Sequence, residues 1–69
     1  MGRWEEYQIW VQKNGRWEMV SAFSDFELAS AVARNYSSRM RLIHATYEGN
    51  KIVGQDVLVE MGATREGSQ

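Results

Sequence analysis

With 69 residues, eight Lys plus Arg, nine Asp plus Glu and no cysteine, the chain is long enough for one small domain and carries a net charge of −1. A domain of this length buries only about 60% of the surface that its unfolded chain exposes, so disulfides, a metal or a partner usually add stability. The absence of cysteine excludes disulfides and thiolate metal sites, and the single histidine, His44, cannot form a metal site alone. Association with another chain is therefore the expected source of additional stability.

The near-neutral charge argues against nucleic-acid or membrane binding that is driven by global charge, and leaves only a local patch for such a role. No apolar run approaches the roughly 18 residues of a membrane span, and the N-terminus lacks a basic-then-apolar signal pattern. These features predict a cytoplasmic protein that does not associate with membranes.

The first predicted element is a β-hairpin closed by Asn14-Gly15, because both residues tolerate positive φ and favour a two-residue turn. Residues 5–12 precede the turn and are rich in aromatic and β-branched side chains, and the returning strand runs from Arg16 to Phe23. The turn predicts a register that pairs Lys13 with Arg16, Gln12 with Trp17, Val11 with Glu18, Trp10 with Met19, Ile9 with Val20 and Tyr7 with Ala22.

A helix is predicted from Ser24 to about Tyr36. Ser24 and Glu27 match the S-x-x-E capping box, in which each side chain satisfies a free amide at the helix start. Phe23 and Leu28 occupy the two positions of a hydrophobic staple. The apolar residues that recur at helical spacing and form one stripe are Leu28, Ala29, Val32, Ala33 and Tyr36.

Two more strands follow, from Arg39 to Tyr47 and from Ile52 to Met61, joined by a turn at Glu48-Gly49-Asn50-Lys51. The fold class is therefore α+β, with the order ββαββ. We expect one four-stranded antiparallel sheet in the strand order 2-1-3-4, with a single helix packed on one face. Residues 1–61 form this domain, and residues 62–69, which have little apolar content, form a flexible tail.

One helix covers only one face of a sheet, yet the predicted strands are apolar on both faces. In the first hairpin, Tyr7, Ile9, Val20 and Ala22 face the helix, whereas Trp10, Trp17 and Met19 point away with Ser21. In the second hairpin, one face holds Ile43, Ala45, Tyr47, Ile52 and Leu58, and the other holds Leu42, Val53, Val57 and Val59. Soluble monomers rarely expose large apolar patches, so an interface is predicted, most simply in a two-fold homodimer.

The candidate interface residues are Trp10, Trp17, Met19, Leu42, Val57 and Val59. Two alternatives remain open at this point. A β-bulge would shift the register and place these side chains in the core, or the N-terminal segment with Trp4 would fold over them.

A second candidate surface is a basic end, where the first turn and the helix C-terminus are expected to meet. Its residues are Lys13, Arg16, Arg34, Arg39 and Arg41. With Trp17 and Tyr36 nearby, it would suit a phosphate backbone with a stacked base, or an acidic protein. The simpler interpretation is that these cations are solvated and favoured near the helix C-terminus.

No catalytic or cofactor-binding residue is predicted. His44 is expected mid-strand opposite Gln55 with no nucleophile beside it, and glycine-rich phosphate loops, metal-ligand spacings and nucleophile elbows are absent. The sequence therefore favours a non-catalytic protein-interaction module that self-associates, for which regulation or inhibition of a larger macromolecule is one role. The alternatives are a nucleic-acid-binding domain, and a small-molecule binder or enzyme whose site forms between subunits with His44 as its polar anchor.

Overall fold

The computed structural model describes residues 2–36 and 39–61, in the order ββαββ. The elements are β1 (Arg3–Lys13), β2 (Arg16–Phe23), α1 (Phe26–Ala33), β3 (Met40–Glu48) and β4 (Lys51–Met61). The four strands form one sheet in the order β2-β1-β3-β4, and every neighbouring pair is antiparallel. The predicted fold class, element order and strand order are confirmed. The predicted tail, residues 62–69, lies outside the described residues.

The first hairpin follows the predicted register up to a β-bulge. Asn14 and Gly15 have φ of 53° and 80°, the positive values of a type I′ turn, and the four pairs from Lys13–Arg16 to Trp10–Met19 are as predicted. The register then shifts, so that Ile9 pairs with Ser21.

This shift makes the predicted pairs Ile9–Val20 and Tyr7–Ala22 wrong. Val20 is the extra residue of the bulge, so Ser21 and Phe23 take the positions facing the helix, and Phe23 pairs with Tyr7. Ala22, which lies opposite Gln8, turns to the other face. The apolar pattern does not reveal this bulge, because Val20 and Ala22 are apolar and would suit the helix-facing positions that Ser21 and Phe23 occupy.

Asp25, and not Ser24, caps the helix. The Asp25 carboxylate accepts a hydrogen bond from the backbone N–H of Leu28 at 2.9 Å, and its extended backbone (φ −114°) is that of an N-cap residue. The predicted capping box of Ser24 and Glu27 is therefore wrong. The helix starts one residue later than that box requires, and Leu28 is 52% exposed and does not belong to the buried stripe.

The core lies between α1 and the central strands β1 and β3. Its buried residues are Ile9, Val11, Ala29, Ala33, Met40 and Leu42. Two alanines on the inner side of the helix let its backbone approach the sheet closely. Leu42 is only 1% exposed, so this predicted interface residue belongs to the core instead. The helix packs on β1, β2 and β3 and makes no contact with β4.

The second hairpin turns at Gly49, whose φ of 60° glycine adopts without strain. Two register shifts leave Val53 and Leu58 as extra residues on β4. Val57 consequently lies opposite Ile43, on the face away from the helix, while Val59 lies opposite Leu42, on the helix side. The predicted face of Val57 is wrong for this reason, whereas Leu58 has no residue opposite it on β3.

Candidate interaction surface

The face of the sheet opposite α1, termed the open face, is covered by no other element among the described residues. Side chains alternate along a strand, and Ile9 and Val11 of β1 are in the helix-side core, so their neighbours point to the open face. The cross-strand pairs place on it Trp4, Trp10, Trp17, Met19, Ile43, Ala45, Tyr47, Ile52 and Val57. Trp10, Trp17, Met19 and Val57 from the predicted interface therefore share one face, without Leu42 and Val59.

A hydrogen-bond network centred on Gln8 organises the middle of the open face. Gln8 is 2% exposed, and its amide nitrogen donates to Glu6 Oε2 at 2.8 Å and to the Tyr47 hydroxyl oxygen at 2.9 Å. Its carbonyl oxygen accepts from the indole N–H of Trp10 at 2.9 Å. Because a buried amide without partners is costly, this network holds Trp10 and Tyr47 in defined positions.

Trp4 covers the end of the open face next to the second turn. Its ring stacks on Tyr47 with centroids 4.2 Å apart and planes 5° from parallel, and its indole N–H donates to the carbonyl of Gly49 at 3.0 Å. The ring is nevertheless 45% exposed. Trp4 therefore belongs to β1 and lies on Tyr47, and not over Trp10, Trp17 and Met19 as the alternative of a folded-over N-terminal segment required.

A shallow cavity opens between the two remaining tryptophans of the face. Its volume is about 180 Å³, and it is lined by Trp10, Trp17, Arg41, Ile43 and Gln55. The guanidinium of Arg41 lies 4.1 Å from the centre of the Trp17 ring, and that of Arg39 lies 5.7 Å from it. These cation–π contacts fix the Trp17 ring as one wall of the cavity.

The predicted basic end contains an acidic partner. Glu60 accepts a hydrogen bond from Arg39 at 3.2 Å, and its other carboxylate oxygen lies 3.4 Å from Nε of Arg41. The Arg39 hydrogen bond, together with the charge of Arg41, lowers the pKa of Glu60. Burial acts in the opposite direction and is outweighed. The position of Glu60 opposite Arg41 follows from the β3–β4 register, which the bulges conceal in the sequence.

The other basic residues are separate from this cluster. Lys13 and Arg16 face each other across the first turn, and Arg34 is the C-terminal capping residue of α1. The structure thus brings together Arg39 and Arg41 around Trp17 and Glu60. The sequence prediction named both arginines and the tryptophan but missed the carboxylate that partly neutralises them.

His44 lies on the helix side of the sheet, away from the cavity. It pairs with Asp56, so the predicted pairing with Gln55 is wrong, and its Nε2 lies 2.6 Å from Oε1 of Glu5. Its ring stacks on Tyr7 with centroids 4.9 Å apart. In the part of the chain that the structure describes, no three His, Cys, Asp or Glu side chains converge in a way that would hold a metal ion.

The largest exposed apolar surface belongs to β4. Every residue from Lys51 to Glu60 is exposed, on both faces of the strand, although the strand is as rich in aliphatic residues as the buried β3. The large apolar side chains that are between 37% and 54% exposed on this strand are Ile52, Val53, Val57, Leu58 and Val59. The sequence prediction anticipated apolar character on both faces of this hairpin, and the structure assigns the exposure to its outer strand.

Comparisons with known proteins found no matching family model, no matching curated protein and no matching solved structure. Among the described residues, no helix has the length and apolar character needed to cross a membrane. Any function must therefore be argued from the surface itself.

Proposed function

We propose that this chain is a non-catalytic protein-interaction module that self-associates through the apolar surface of β4 and the adjoining part of the open face. The observation that carries the proposal is β4, an edge strand of eleven residues in which aliphatic side chains are exposed on both faces. Strands that are apolar on both faces are typical of sheets that are covered on both sides. Among the described residues the helix makes no contact with β4, and we assign its cover to another molecule.

A second copy of the chain is the occupant that the strand itself favours. In a two-fold arrangement the same surface serves both molecules, and with the axis perpendicular to β4 the two β4 strands run antiparallel to each other. The start of one strand then lies beside the end of the other, which brings the Lys51 end of one copy to the Glu60 end of the other. The two aliphatic groups, around Val53 and around Leu58, approach each other in the same arrangement.

The bulges indicate how such copies would pack. Val53 and Leu58 interrupt the regular ladder of β4, and bulges on edge strands disfavour the continuous strand pairing that would join two sheets. Packing of side chains, and not addition of one strand to another sheet, is therefore the expected contact. We then expect the backbone amide hydrogens on the free edge of β4 to exchange with solvent at the same rate in the monomer and in the assembly.

The proposal is tested by light scattering between micromolar and millimolar concentrations on the parent and on two variants with the same substitution. Leu58→Lys places a charge on β4, where the leucine is 44% exposed, and Leu28→Lys does so on the helix, where it is 52% exposed. We expect light scattering to show dimers for the parent and for Leu28→Lys, and a monomer for Leu58→Lys. Circular dichroism should show that all three are folded. A monomeric parent over the whole range, or equal dimerisation of both variants, would contradict the proposal.

The alternative of nucleic-acid binding receives less support from the surface. Glu60 engages Arg39 and Arg41, the two basic residues that contact the half-buried Trp17 ring, and the remaining candidates are on other elements. A dispersed set of cations gives few simultaneous phosphate contacts, and these contacts provide most of the affinity for a nucleic-acid backbone.

A further inference from the structure

The cavity on the open face has the size of one small ring system. Its volume of about 180 Å³ is well below the roughly 300–1,000 Å³ of pockets that hold drug-sized ligands. It is close to that of an engineered apolar cavity of about 150 Å³ that binds benzene. A single or fused aromatic ring therefore fits the cavity, whereas a whole nucleotide does not.

The walls are aromatic and held in place before any ligand arrives. Trp10 is fixed by its hydrogen bond to the buried Gln8, and Trp17 is fixed by the guanidinium group at 4.1 Å from its ring centre. Ile43 contributes an aliphatic surface. Indole rings in fixed positions favour a planar partner, because aromatic pairs gain energy beyond their buried area and no side chain has to be ordered on binding.

The charged groups at the cavity favour a negatively charged ligand over a positively charged one. Arg39 and Arg41 share the single carboxylate of Glu60, which leaves an excess of one positive charge at this end of the face. Nε of Arg41 is buried and makes no hydrogen bond, since its 3.4 Å approach to Glu60 lacks the geometry of one. The neutral amide of Gln55 lines the opposite side. A negatively charged group at the cavity mouth would therefore be attracted to the guanidinium of Arg41.

We infer that this cavity is a binding site for a small aromatic carboxylate, with the ring between Trp10 and Trp17 and the carboxylate directed to Arg41. The site takes four of its five lining residues from β1, β2 and β3 and the fifth from β4, so one copy of the chain supplies all of its lining. For a ligand of this size in a cavity that is open on one side, we expect a dissociation constant on the order of 1 mM.

Nuclear magnetic resonance of ¹⁵N-labelled protein tests the inference through the three indole N–H signals. The probe is indole-3-acetate, compared with tryptamine, which carries a cation on the same ring, and with acetate, which has no ring. We expect indole-3-acetate to shift the Trp10 and Trp17 signals saturably and to leave Trp4 unchanged, because Trp4 is stacked on Tyr47 at the other end of the face. Tryptamine should bind at least about tenfold more weakly, and acetate should shift neither signal.

A charge substitution in the cavity provides the second arm. Gln55 is an exposed residue of β4, so Gln55→Glu adds a negative charge at the cavity without removing a core contact. We expect the variant to lose affinity for indole-3-acetate and to gain affinity for tryptamine. Equal shifts at Trp4, tryptamine binding as tight as indole-3-acetate binding, or unchanged preferences in Gln55→Glu would overturn the inference.

Discussion

The two strands of the second hairpin, β3 and β4, have similar aliphatic content and opposite environments. Met40, Leu42 and Ala45 of β3 are fully buried, whereas every residue of β4 before Met61 is exposed. The difference arises from position, because β3 lies between two strands and beneath α1, while β4 is at the edge of the sheet and beyond the reach of an eight-residue helix. Apolar composition therefore indicates that a strand will be covered, and the topology decides whether its own chain covers it.

The largest expected effect compares the same substitution on the two strands. Leu42→Ala removes a fully buried side chain and should cost about 2–5 kcal/mol of unfolding free energy. Leu58→Ala, at a position that is 44% exposed, should cost less than about 1 kcal/mol when the protein is dilute and monomeric. Urea unfolding measures both values. Equal losses would mean that β4 contributes to the core as much as β3 does.

A second comparison concerns the open face, where polar contacts and not the helix hold the aromatic side chains. Trp10→Phe keeps an aromatic side chain, although a smaller one, and leaves the carbonyl oxygen of the buried Gln8 without its donor, which should cost about 1–3 kcal/mol. Trp4→Phe removes an N–H that donates to the Gly49 carbonyl at an exposed position, and should cost less. If urea unfolding gives the same loss for both variants, the Gln8 network does not stabilise this face as described.

The helix that covers β3 depends on its N-terminal cap. Asp25→Ala removes the acceptor for the Leu28 N–H and should cost about 1 kcal/mol. Ser24→Ala, at the residue before it, should leave the urea midpoint nearly unchanged. A larger loss of stability in Ser24→Ala than in Asp25→Ala would mean that Ser24 is the N-cap, as the predicted capping box requires.

The smallest effect concerns the ion pairs that link β4 to β3. Because contact with Arg39 and Arg41 lowers the pKa of Glu60 in the folded state, its stabilising contribution is present above about pH 4.5, the ordinary value, and is lost as the pH falls through the lower folded value. The urea midpoints of the parent and of Glu60→Gln should therefore differ at neutral pH and converge in acid. If the difference between the two urea midpoints stays constant down to about pH 3, the lowered pKa of Glu60 is not its cause.

The parts of the fold that the sequence predicts are those with strong local determinants. Asn14-Gly15 determines both the turn and the first four residue pairs, and two antiparallel hairpins joined by a right-handed helical crossover lead to the correct strand order. The bulge at Val20 was not predictable, because each residue beside it is equally suited to a strand. The choice of Asp25 over Ser24 as the cap was also open, since the two adjacent residues are both good capping residues.

The candidate site was predicted only in outline. Trp10, Trp17 and Met19 lie on the face opposite the helix, as the hairpin register indicates. Leu42 could not be separated from Val57 in the sequence, since the bulged residue Val53 moves Val57 from the position opposite Leu42 to the position opposite Ile43. The cavity depends on side-chain contacts between strands, such as the Arg41–Trp17 stack, which no local pattern reveals.

The bulges have a consequence for how far assembly proceeds. Both edges of the sheet are irregular, with Val20 on β2 and with Val53 and Leu58 on β4. Growth into a filament requires that each added molecule present a regular edge to the next, as in stacked cross-β structures. In the proposed association by side-chain packing, the backbone edges β4 and β2 both stay unpaired, and the ladder of each is interrupted by a bulge. The bulges therefore disfavour growth into a filament, even though the chain carries a long aliphatic strand at its surface.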